Sequence, residues 1–96
     1  MENVINLNLI EPVLKASNVK FAGIFGSVAR GEAKNDSDVD ILIKLGKPIS
    51  LLGLIRLERM ISDKLGRNVD LITEDSLSPF IKEEVLHDLK PIYERG

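Results

Sequence analysis

GSVARGEAKNDSDVDILI, residues 26–43, is the stretch on which the reading of this chain turns. A polar, glycine-bracketed run leads into Asp38 and Asp40, one residue apart, and then into an apolar strand. Two like charges at the mouth of a buried strand repel each other and resist desolvation. A cation, a basic partner or water must offset that cost. Side chains alternate along a strand, so Asp38 and Asp40 are expected on one face, about 7 Å apart. Val39, Ile41 and Ile43 then face the core, and Leu42 makes the aspartate face apolar again. The carboxylates are thus confined to one end of the strand, where a pair so spaced suits a hard cation of the magnesium type.

Working outward, the apolar period changes several times. Residues 6–17 read as a helix, with Leu7, Ile10 and Leu14 at helical spacing and Pro12 either opening a shorter helix or kinking a longer one. Residues 19–25 (VKFAGIF) read as a buried strand ending at Gly26. Residues 27–31 fit one short helical turn, residues 32–37 a polar loop, and residues 38–45 the next strand. Ser50 is a natural N-cap and Gly66 a natural C′ residue for a helix between them, with Leu51, Leu54, Ile55, Ile61 and Leu65 as its apolar stripe. Leu52 and Leu57 fall beyond that stripe and offer an edge for a partner, while Arg56, Glu58, Arg59, Asp63 and Lys64 are expected in water. Residues 68–73 (NVDLIT) predict a third strand. Ser78 and Pro79 open a helix to about residue 89 with Ile81, Val85 and Leu89 buried. Residues 90–94 fit a short edge strand, because Pro91 cannot donate to a central ladder. Such alternation argues for an α/β (α+β) domain: one small mixed sheet packed against helices.

The chain of 96 residues fits a single domain, 1–96, with one modest core. At 44% hydrophobic and 29% charged residues the composition is that of an ordinary globular protein. Aromatics are only 4%, so the core is aliphatic. A formal net charge of −2 gives no long-range attraction to nucleic acid or an anionic membrane. With no cysteine, disulfides and thiolate metal sites are excluded. No apolar run is long enough to span a bilayer, and no basic-then-apolar leader precedes the first helix, so a cytoplasmic protein is expected.

A third acid would complete a cation site. Asp70 lies between Val69 and Leu71 in a short apolar strand, where propensity disfavours it. If that strand pairs beside the 38–45 strand, Asp70 reaches the same cation. Three carboxylates around magnesium suit two-metal phosphoryl or nucleotidyl transfer. Gly26 lets the backbone approach a ligand closely. The amides of the following turn, with the Ser27 hydroxyl, can grip phosphate oxygens, and Arg30 can add a charge-assisted contact. Gly31 lets the chain leave the turn.

Gly26 and Ser27, ten residues, then Asp38-Val39-Asp40: this constellation resembles the nucleotidyltransferase signature of the DNA polymerase β-like superfamily. The fuller stretch 26–43, with Asp70 in its NVDLI setting, is similar to the minimal nucleotidyltransferases, small antitoxins paired with HEPN ribonuclease toxins. The resemblance implies that Gly26 and Ser27 bind the nucleoside triphosphate and that Asp38 and Asp40 hold two Mg2+ ions. It makes Asp70 the third acid, holding the metal that activates the nucleophile and serving as a base. It implies AMP transfer from ATP to a tyrosine hydroxyl of a partner HEPN toxin, which silences the toxin.

Competing motifs fail on specific residues. Asp36, Asp38 and Asp40 begin like an EF-hand loop, but Ile41 replaces its glycine and Lys47 its bidentate glutamate. Gly26 and Gly31 mimic a P-loop frame, but Glu32 replaces the phosphate lysine and Ala33 the hydroxyl residue. Plain turn chemistry accounts for Asp36, Ser37 and Asp38, poorly for Asp40 and not for Asp70. Lone His87 reads as a surface residue and Tyr93 as packing. A second function class is a binding antitoxin that neutralises its partner by contact alone. Transfer to a small molecule or an RNA end lacks a second domain or a basic patch to support it.

Overall fold

The computed structural model of the chain describes residues 6–34 and 36–95. Position 35 of the expected polar loop and the ends of the expected 1–96 domain lie outside the described residues. Four strands carry the fold: β1 (Val19–Phe25), β2 (Val39–Leu45), β3 (Val69–Thr73) and β4 (Lys90–Glu94). They lie in the order β3-β2-β1-β4. β1 pairs antiparallel with β2 and with β4, and β2 pairs parallel with β3. A parallel pair needs a crossover. Here it is α3 (Leu51–Leu65), capped by the Ser50 hydroxyl at its start and by left-handed Gly66 at its end, as the sequence predicts.

At the N-terminus Pro12 opens a shorter α-helix. A 3-10 turn, Leu7–Ile10, with Asn6 as its cap, leads into α1 (Glu11–Ala16). A proline lacks the amide that a continuous helix would need, and the first helical turn does not use it. α2 is the short turn Gly26–Ala29, and α4 is Pro79–Asp88 behind the Ser78 cap. The 3-10 turn Glu74–Ser76 was not foreseen.

The two sheet faces are unequal. Val39, Ile41 and Ile43 lie with Ile10, Leu14, Leu57 and Ile61 in the main core, under α1 and α3. The opposite face holds a smaller cluster of Phe25, Leu42, Leu77 and Val85, covered by α4. Tyr93 packs against the main core and His87 stays at the surface, both as expected.

Two helix stripes differ from the sequence reading. In α3 the buried residues are Leu57 and Ile61, with Leu54 and Leu65 packed against the same core. Leu51, at 74% exposure, and Ile55 face out. The helix is rotated because 54, 57, 61 and 65 form an unbroken 3–4–4 row, whereas 51 and 55 belong to the row beside it. In α4 only Val85 is buried, while Ile81 is exposed, because a helix resting on one end of a four-stranded sheet touches it along a narrow line.

Candidate active site

The site stands at the end of the sheet where β1 ends and β2 and β3 begin. Asp40 pairs in register with Phe25 on one side and with Asp70 on the other. Residues in register on neighbouring strands project to the same face, with strands about 4.8 Å apart. Asp40 and Asp70 therefore share the face that carries Phe25 and Leu42. The condition set on Asp70 by the sequence is met: β3 does pair beside β2.

Asp38 departs from the expected picture. β2 begins at Val39, so Asp38 lies one residue outside the strand, and strand alternation alone does not orient it. It is exposed and lines a cleft of about 460 Å³ together with Ile55, Glu58, Arg59 and Val69. Asp70 is also exposed, and Asp40 is half-buried.

The electrostatics single out Asp40. Burial pushes its carboxyl above the usual range, and the charges of Asp70 and Asp38 push it further in the same direction, against a smaller opposite pull from Arg30. Asp40 thus senses both of the other acids. Among the described residues no three acids already stand as a closed cation cage. The donor set nonetheless fits a hard divalent ion: it is all carboxylate oxygen, and Asp38 and Asp70 are exposed side chains free to reorient.

Gly26 approaches Asp40 more closely than the sequence reading implied. Its φ is +74°, and a Cβ placed on it would run into the Asp40 Oδ2. The close approach anticipated toward a ligand is, in this structure, an approach to an acid of the site. Ser27 follows on α2, half-buried, and its carbonyl accepts from the Glu32 amide at 2.9 Å. Gly31, also at φ +74°, lets the chain leave the turn.

Arg30 has partners that local sequence cannot predict. Its Nε donates to Glu32 at 3.0 Å and its Nη1 to Asp88 at 2.7 Å, at the end of α4. Three further residues escaped the sequence reading. Asp88 latches α4 to α2 through Arg30. Glu58, expected in water, accepts the outward-facing Leu71 amide of edge strand β3 at 2.9 Å. Arg67 donates to the carbonyls of Lys34 and Ser37, just ahead of Asp38. No local signal marks any of them, because their partners lie 13 to 58 residues away.

Comparison with known proteins gives a consistent picture. The family model described as "Polymerase beta, Nucleotidyltransferase" matches residues 8–96. The Methanocaldococcus jannaschii protein MJ0435, provisionally named a protein adenylyltransferase, is 42% identical over 87 residues, covering 86% of this chain and 94% of its own. The protein adenylyltransferase MntA of Thermococcus cleftensis is 40% identical over 94 residues, covering 90% of this chain and 95% of its own. Among solved structures, a toxin–antitoxin crystallised with AMP-PNP superposes with a TM-score of 0.84 at 22% identity, over 95% of this chain and 75% of that one. A complex of a tri-AMPylated Shewanella oneidensis HEPN toxin with its MNT antitoxin gives 0.73 at 20% identity, over 93% of this chain and 70% of that one. These two structural likenesses establish the shared fold.

Proposed function

The chain belongs to the polymerase β nucleotidyltransferase family, and from that membership we propose that residues 1–96 act as one protein adenylyltransferase domain, dependent on Mg2+, that works as an antitoxin in the cytoplasm. The acceptor is a tyrosine hydroxyl of a partner HEPN toxin, and the donor is ATP. The observation that carries this reading is the register pairing of Asp40 with Asp70, with Asp38 two residues before Asp40, on a sheet end closed by Gly26.

The chemistry divides among named groups. Gly26 and Ser27 receive the triphosphate on the α2 turn. Arg30, whose charge weakly opposes the upward shift of the Asp40 carboxyl, adds positive charge beside the triphosphate. Asp38, Asp40 and Asp70 would hold two Mg2+ ions. When bound, such ions neutralise the triphosphate and make the acceptor hydroxyl more acidic. The acceptor oxygen forms a bond to the α-phosphorus while the bond from that phosphorus to the bridging oxygen breaks. Pyrophosphate leaves with that electron pair, and the hydroxyl proton passes to Asp70. Asp70, exposed and in register with Asp40, is the carboxylate placed to take that proton.

A second reading is favoured by one observation. Phe80 on α4 is 95% exposed, an apolar side chain suited to gripping a partner without chemistry. One experiment separates the two. The protein is incubated with α-labelled ATP, Mg2+ and a candidate partner HEPN protein, beside Asp38→Ala/Asp40→Ala. Label on the partner, absent with the double variant, supports the enzyme. Absence of label, with neutralisation intact in the double variant, overturns it in favour of contact alone.

A further inference from the structure

Asp38 is the acid that no strand holds, since β2 starts one residue later. Hydrogen bonds on either side of it take over that task. The Arg67 Nη2 donates to the Ser37 carbonyl at 2.6 Å and to the Lys34 carbonyl at 3.0 Å. The Val39 amide donates to the Asn68 carbonyl at 2.9 Å. The Ser37 carbonyl lies in the peptide plane that carries the Asp38 nitrogen. The Val39 amide lies in the plane that carries the Asp38 carbonyl. Peptide units are rigid plates, so both plates flanking the Asp38 Cα are tied to residues 67 and 68, just ahead of Asp70.

The anchor is itself held. The Ser62 hydroxyl donates to the Arg67 carbonyl at 2.5 Å, and the Arg67 amide donates to the Ser62 carbonyl at 3.3 Å. The receiving side is preset too. The Ser37 hydroxyl accepts from the Lys34 amide at 2.8 Å, and the Ser37 amide donates to the Lys34 carbonyl at 3.1 Å. Two carbonyls are thereby presented together to one guanidinium nitrogen.

We propose that Arg67 is a positioning residue that sets where Asp38 stands relative to Asp70, and through that placement governs divalent-cation affinity and the rate of nucleotidyl transfer. The proposal rests on the reading of Asp38, Asp40 and Asp70 as cation ligands. Of the two ties, the Val39 amide bond belongs to the β2–β3 pairing and forms with the sheet. The Arg67 bond is a side-chain tie and can be removed alone.

The test uses Mn2+ as the probe, titrated by electron paramagnetic resonance without nucleotide, beside amide hydrogen exchange around Asp38 and separate kcat and KM for ATP. Arg67→Met keeps the stem and removes the donors. It is expected to weaken Mn2+ binding and lower kcat by about 10–100-fold, as loss of an outer-shell partner does. KM for ATP changes less, and exchange around Asp38 rises. Arg67→Lys, which keeps a donor, recovers part of the loss. Val13→Ala, a packing change in α1, keeps the parental Mn2+ affinity. Parental Mn2+ affinity in Arg67→Met overturns the proposal, as does an equal loss in Val13→Ala. If Arg67→Met fails to fold, Arg67→Lys carries the test, and parental affinity, kcat and exchange there overturn it. Asp38→Ala/Asp40→Ala separates the two levels. Loss of Mn2+ there with parental binding in Arg67→Met defeats the positioning role alone. Parental binding in the double aspartate variant defeats the cation-site reading, and the proposal with it.

Discussion

Gly26 and Asp40 occupy a space with no room for a Cβ between them: the glycine sits at φ +74°, and a methyl group there would meet the Asp40 Oδ2. The site is therefore built by backbone approaching carboxylate, and substitution of Gly26 must displace one or the other.

Gly26→Ala is expected to combine left-handed strain of about 1–2 kcal/mol with displacement of Asp40. A misplacement near 1 Å lowers transfer by about 100-fold. Gly31→Ala is the matched comparison, since Gly31 has the same φ but nothing within 4 Å of its missing Cβ. It should carry the strain and keep the rate. Thermal melts with labelled-AMP transfer for both variants check this, and equal rate losses would refute the clash.

Asp40 should make the metal-free protein less stable as pH rises. Its carboxyl in the fold titrates above the unfolded one, first through burial and then through Asp70 and Asp38. Between the unfolded value, about 3.9, and the folded one, the native state binds more protons, so stability falls as pH rises through that window. Asp40→Asn removes the effect. It should melt higher than the parent at pH 7.5 without cation, abolish transfer, and lose its advantage as pH falls toward 4. Melts across that range, with and without Mg2+, measure it. Mg2+ should raise the melting temperature of the parent alone.

Arg30 and Asp88 respond differently if Arg30 serves the nucleotide. Hydrogen bonding from Arg30 is the leading cause that holds the Asp88 carboxyl below its usual range, so that stabilisation is present at neutral pH and is lost as pH falls through the lowered value. Arg30→Ala is expected to raise KM for ATP by about tenfold, the loss of one charge-assisted contact. Asp88→Asn keeps an acceptor but removes the charge opposite Arg30, which Glu32 still holds, and should leave KM near the parental value. Steady-state kinetics at fixed Mg2+ decide. A larger rise in Asp88→Asn would make Arg30 purely a latch between α2 and α4.

Glu58 protects an edge. Its carboxylate takes the outward Leu71 amide of β3, which would otherwise be open to another chain. Glu58→Ala should destabilise the fold by about 1–2 kcal/mol and raise hydrogen exchange at Leu71. Glu58→Gln, which still accepts, should fall between. Urea melts and exchange at that amide provide the check, and unchanged exchange in Glu58→Ala would contradict the capping role.

Strand positions, helix caps and the motif residues were legible in the sequence because each is encoded within a few neighbouring residues. Alternation around Val39, Ile41 and Ile43 marked the core face, and Ser50, Gly66, Ser78 and Pro79 marked helix ends through their own backbone and hydrogen-bonding preferences. The local pattern was not enough to choose between the rows of α3. Leu51, expected inside, is exposed, while Leu57, expected beyond the stripe, is 1% exposed. Two neighbouring apolar rows compete for one sheet, and the angle at which the helix packs selects the winner.

By itself, then, the sequence determined the order of the main elements and the family signature. Tertiary structure alone decided the β2–β3 register that sets Asp40 beside Asp70, the exclusion of Asp38 from the strand, and the ties from Arg67, Glu58 and Arg30. The physical reason is range. Propensity and periodicity act over one or two turns of chain, whereas register and long side-chain hydrogen bonds exist only once distant elements have packed and fixed the distances between them.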